Sequence, residues 1–64
     1  MKVYAVFTRE AYEPAVLDGI FASAEAAMKR VESIKSEDIP YVGFDGEMVC
    51  HYIAVYCEEL EVKN

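Results

Sequence analysis

One stretch of this chain has helical periodicity, and everything around it reads as strand. Ala24, Ala27, Met28, Val31 and Ile34 fall at i, i+3, i+4, i+7 and i+10, a single apolar stripe at period 3.6, with Glu25, Lys29, Glu32, Ser33 and Ser36 off it. Ser23 is a good N-cap, Glu25 sits in the first turn where the helix dipole favours an anion, and Lys29, Arg30 and Lys35 populate the later turns. The segment ends by Asp38, because Pro40 cannot continue a helix and disfavours helical geometry at Ile39. A lone helix of about thirteen residues must bury its stripe against a sheet.

The sheet residues flank it. Residues 2–8 and about 15–22 are β-branched and aromatic runs separated by a polar connection ending at Pro14. Asp18-Gly19 reads as a bulge inside the second strand, since a turn there leaves too few residues before the helix. After Pro40, Tyr41-Val42-Gly43-Phe44 and Glu47-Met48-Val49 flank Asp45-Gly46, which predicts a two-residue hairpin turn with positive φ. The stretch from Glu47 to Val62 changes its alternation near Glu58-Glu59, which predicts a bulge or bend near Cys57. The expected fold is α+β (ββαββ) in one domain, residues 1–64: a small antiparallel or mixed four-stranded sheet with one helix packed on one face.

That architecture leaves a face uncovered. The strands carry large side chains on both parities, Val3, Ala5 and Phe7 against Tyr4 and Val6, and Ile53 and Val55 against Tyr52, Ala54 and Tyr56. Monomeric proteins rarely expose large contiguous apolar patches, so self-association or partner binding is the natural expectation.

Size and charge narrow the function. With 64 residues the chain buries roughly 60% of the surface that its unfolded form exposes, too little for a deep enzyme cleft. A net charge of −6 and a pI near 4.5 argue against direct nucleic-acid binding, which needs a surface rich in Lys and Arg. At 55% hydrophobic, with five Tyr and three Phe, the chain is also too apolar to be disordered. Residues 1–35 hold five acids and five bases, whereas residues 36–62 hold seven acids (Glu37, Asp38, Asp45, Glu47, Glu58, Glu59, Glu61) and no base. The first apolar run is closed by Thr8-Arg9-Glu10, too early for a signal-peptide core or a membrane span. Two cysteines are too few for a secreted disulfide framework, so reduced thiols in a cytoplasmic protein without membrane contact are expected.

Catalytic and metal chemistry find little support. Cys50, His51 and Cys57 are potential zinc ligands, but on one strand His51 and Cys57 stand ~20 Å apart and Cys50 points to the opposite face. Buried thiols and a strand histidine are the simpler reading. Adjacent strand residues also point apart, which disfavours a Cys–His nucleophilic pair. Glu58, Glu59 and Glu61 lack an enclosing pocket for acid–base work, and Gly43 and Gly46 form no phosphate loop. The expectation is a non-enzyme with no cofactor and no metal.

Tyr4, Tyr12, Tyr41, Tyr52 and Tyr56 combine a rigid ring with a polar hydroxyl, a pairing enriched at binding hot spots. Beside the uncompensated acids they suggest an acidic, aromatic docking surface made by Tyr52, Tyr56, Glu47, Glu58, Glu59 and Glu61, suited to a partner with a basic surface.

Lys2-Val3-Tyr4 with Val6, the loop pair Tyr12-Glu13, Gly19-Ile20-Phe21 leading through Ser23 and Glu25-Ala26 into the helix, and the closing Tyr56 and Glu58-Glu59-Leu60-Glu61-Val62 together resemble a family of short phage and bacterial proteins of unassigned function. The resemblance implies a phage or mobile-element setting, in which small acidic proteins bind and block a host protein. The leading expectation is thus a protein-binding module, a phage-encoded inhibitor of a host or defence protein such as a CRISPR complex. The alternatives are a self-associating accessory protein, homodimeric through the open sheet face, and a small metal- or ligand-binding regulator using Cys50, His51 and Cys57.

Overall fold

The computed structural model describes residues 1–63. Its elements are β1 (Lys2–Glu10), β2 (Val16–Phe21), α1 (Ala24–Glu37), β3 (Tyr41–Val42), β4 (Met48–Val49) and β5 (Tyr52–Glu61). The fold is α+β with one helix, as the periodicity predicts. The sheet is not a single four-stranded one: β2, β1 and β5 form an antiparallel three-stranded sheet with β1 central, and β3 and β4 form a separate two-stranded hairpin. The break falls at Cys50-His51, where the backbone turns between the hairpin and β5.

The helix begins as its cap residue dictates. Ser23 is extended, and its hydroxyl accepts a hydrogen bond from the Ala26 amide at 3.2 Å. It closes at Asp38, whose N–H donates to the Ile34 carbonyl at 3.1 Å. The buried stripe is narrower than the periodicity suggests: Ala27, Val31 and Ile34 are buried, whereas Ala24 and Met28 lie on the exposed margin. Against that stripe stands Val6, fully buried, and Tyr4, Phe21, Tyr52, Val55 and Cys57 pack against the cluster that Val6 forms with Ala27, Val31 and Ile34.

Two irregularities decide which side chains face the helix. In β2, Val6 pairs with Gly19 and Phe7 with Leu17, so Asp18 is the extra residue of a bulge, at the predicted place. The bulge leaves Asp18 on the helix side, where its carboxylate takes two hydrogen bonds from the Arg30 guanidinium at 2.7 and 3.0 Å. In β5 the irregularity is not near Cys57, where the pairing with β1 runs unbroken from Ala54 to Glu61. It lies at Ile53, because Arg9 pairs with Ala54 and Glu10 with Tyr52. Through Cys57 the faces simply alternate: Leu60 joins Tyr56 on the open face, and the carboxylates of Glu59 and Glu61 take the helix side.

The hairpin turn also differs from the two-residue form. Gly43 N–H donates to the Glu47 carbonyl at 2.7 Å and Gly46 N–H to the Gly43 carbonyl at 3.0 Å, so Phe44, Asp45 and Gly46 form a three-residue loop. Gly46 alone takes the left-handed conformation, at φ 86°, while the Asp45 carboxylate caps the Glu47 amide at 3.1 Å. This is the turn-plus-bulge arrangement common to three-residue hairpins.

Candidate protein-docking surface

The six residues expected to form one acidic, aromatic surface do not share a face. Strand pairing puts Tyr56 and Glu58 on the side away from the helix, opposite Phe7 and Ala5. Tyr52 is carried to the helix side by the Ile53 bulge, where it packs on the core. Glu59 and Glu61 take the helix side too, and both are engaged: Glu59 receives Lys2 Nζ at 2.9 Å and Glu61 the Met1 α-ammonium at 3.4 Å. Glu47 lies apart at the hairpin loop. The acids of the C-terminal stretch are thus partly neutralised by basic groups from the other end of the chain, because β1 and β5 run antiparallel.

The hydrogen bond from Lys2 to Glu59, followed by their mutual attraction, raises the lysine above its ordinary 10.5. Likewise the hydrogen bond from Arg30 holds the Asp18 carboxyl below its ordinary 3.8. Both pairs are solvent-accessible ties, one across β1 and β5 and one between β2 and α1.

The face away from the helix is largely apolar. Val3, Ala5 and Phe7 of β1 run down its middle, Leu17 and Ile20 of β2 border one side, and Tyr56 and Leu60 of β5 border the other. Phe7 and Tyr56 stack with ring centroids 5.5 Å apart. Leu17 and Ile20 remain 50% and 58% exposed, so no element among the described residues covers them. Arg9 and Glu58 stand on the same face, Arg9 at one end opposite Ala54 and Glu58 between Tyr56 and Leu60, opposite Ala5.

A second apolar feature projects from the body. β3 and β4 pack on each other and on no other element, and Tyr41, Val42, Phe44, Met48 and Val49 are all exposed. The projection makes the molecule 50 Å long against 21 and 11 Å, with a radius of gyration of 13.9 Å where a compact chain of this size has about 10.7 Å. Its base is held by Asp38, whose carboxylate accepts the backbone N–H of His51 at 2.8 Å and of Tyr52 at 3.0 Å. His51 also pairs with Glu10 of β1.

The cysteines are not the buried pair the sequence suggests: Cys50 is exposed beside the hairpin, and Cys57 is half-buried with its thiol 3.7 Å from the Met28 sulfur. Among the described residues, no three His, Cys, Asp or Glu side chains converge on a common point. Among the described residues, no helix is long and apolar enough to cross a membrane.

Sequence reasoning missed Phe7, Leu17, Ile20 and Leu60 as surface residues, and Phe44 altogether. Phe44 carries a legible signal, an aromatic next to Asp-Gly where turn chemistry favours polar residues. No family model, curated protein or solved structure matches the chain. The functional reading therefore stands on the geometry.

Proposed function

We propose that this chain is a non-enzymatic protein-binding module whose docking surface is the uncovered sheet face, Phe7, Leu17, Ile20, Tyr56 and Leu60, edged by Glu58. The observation that carries the reading is that face: a small domain with one helix for two apolar sheet faces gains by covering the second with another protein. In the setting that the resemblance implies, the partner is a host or defence protein with a basic surface, and the chain is its phage-encoded inhibitor. The test is capture of the partner from host lysate by the wild-type chain and by Ile20→Asp and Leu17→Asp, with folding followed by circular dichroism. These residues are half exposed, so the fold survives while capture is lost; capture undiminished by both substitutions refutes the face as the docking surface.

A second reading, a homodimer through the same face, is favoured by Arg9 and Glu58. A two-fold axis across the strands brings each next to the other's counterpart in a second copy. Sedimentation at micromolar concentration separates the two readings.

A further inference from the structure

Besides the sheet face, the molecule has a cleft of about 470 Å³ where the end of α1, the bulge of β2 and the base of the hairpin meet. That volume lies within the ~300–1,000 Å³ range of ligand sites. Its charged lining is Asp18, Arg30, Glu37 and Asp38, three carboxylates against one guanidinium, with His51 beside them. Arg30 is already satisfied by two hydrogen bonds to Asp18, and Asp38 by two backbone amides. The Glu37 carboxylate, by contrast, is exposed and makes none of the hydrogen bonds or ion pairs among the described residues, its charge reaching Arg30 only through space.

Three independent features of this cleft favour a cation. Its carboxylates outnumber its bases. It lies at the C-terminal end of the helix, the partially negative end of the dipole. And Tyr41 and Tyr52 line it with aromatic rings, whose faces attract cations. A planar guanidinium satisfies all three at once, since it stacks on a ring while its N–H fork meets a carboxylate in two bonds, which an ammonium cannot do.

We infer that this cleft receives an arginine side chain of a basic partner segment, with Glu37 as its carboxylate and Tyr41 and Tyr52 as its stacking walls. The inference rests on the protein-binding reading and names the chemistry of the partner that the reading requires. It also ties the hairpin to binding, because Tyr41 belongs to β3 and reaches the cleft only while Asp38 holds the hairpin base.

The test is a titration of the full chain with tetra-arginine and tetra-lysine peptides at physiological ionic strength, followed by backbone amide NMR shifts. Tetra-arginine is expected to shift the amides of Arg30, Glu37, Tyr41 and Tyr52 and to bind more tightly than tetra-lysine. Glu37→Gln and Tyr41→Ala, both at exposed positions, each weaken it by about two- to tenfold, while Glu32→Gln, exposed on α1 outside the cleft, leaves it unchanged. Shifts centred on Glu58, Glu59 and Glu61, equal binding of the two peptides, or Glu37→Gln binding as wild type each overturn the assignment. Partner capture that still depends on Ile20 under any of those results leaves the protein-binding reading intact and removes only the cleft.

Discussion

Replacing Asp38 by Ala should loosen the whole projecting hairpin, because one carboxylate joins the end of the helix to the start of β5. Its two acceptor oxygens hold the His51 and Tyr52 amides at 2.8 and 3.0 Å in a half-buried setting. At roughly 0.5–1.5 kcal/mol net for each hydrogen bond, the loss is about 1–3 kcal/mol. The total stability expected of a 64-residue domain is only about 3–10 kcal/mol, so this is a large fraction. In a domain of this size each kcal/mol moves the melting midpoint by roughly 4–8 °C, which puts the expected fall between about 4 and 24 °C. Asp38→Asn keeps one acceptor oxygen and should lose about half as much. Thermal unfolding gives the magnitude, and hydrogen exchange gives the place: the His51 and Tyr52 amides lose protection first, and proteolysis within residues 39–51 quickens. A midpoint within about 1 °C of wild type, with unchanged exchange at those two amides, would refute the argument that Asp38 anchors the hairpin.

Val6→Ala removes two methyl groups from the most buried point of the core and should cost about 2–3 kcal/mol, seen as a lower denaturant midpoint; a loss below about 0.5 kcal/mol would mean that the helix is not seated on Val6. Tyr12 sits at φ 64° with its ring fully exposed, so Tyr12→Gly relieves a left-handed conformation without breaking a contact and should raise stability by up to about 1 kcal/mol in the same assay. Gly46→Ala meets no neighbour but must hold φ 86°, so chemical shifts should change in the hairpin while those of β1, β2 and α1 stay put. The Asp18–Arg30 pair sets an acid-side dependence. Because the folded-state pKa of Asp18 lies below its ordinary 3.8, the stabilisation is present above that value and disappears as pH falls through the lower folded value. The midpoint difference between wild type and Asp18→Asn should therefore be constant near neutrality and shrink below about pH 4; a difference that holds to pH 2 contradicts the pairing.

Much of the local structure is legible along the chain. Ser23 and Pro40 bracket the helix because capping and the missing proline N–H act within a turn or two of where they stand. Asp18-Gly19 marks its bulge, and Asp45-Gly46 marks a hairpin, because glycine relieves constraints local to those residues. The candidate surface was less legible. Tyr52 and Tyr56 have equal sequence parity, and alternation alone assigns them one face; the extra residue at Ile53 separates them. The open face itself follows from counting one helix against two apolar parities, yet its membership does not, since Leu17 and Ile20 join Phe7 only through cross-strand register.

What the amino-acid sequence by itself determined, then, is the kind and order of the elements, one helix among strands, and the fact that apolar surface is left over. Capping, β-branching and turn chemistry act over a few residues, and the net charge of −6 is a sum that needs no coordinates. Only the tertiary structure decided where the leftovers lie. It set β5 beside β1 so that Lys2 meets Glu59, separated the hairpin from the sheet, and brought Asp18, Arg30 and Glu37 to one cleft with Tyr41 and Tyr52. The physical reason is range: strand register has period two, so one bulged residue exchanges faces for everything beyond it, and that bulge is fixed by partners some forty positions away in the chain.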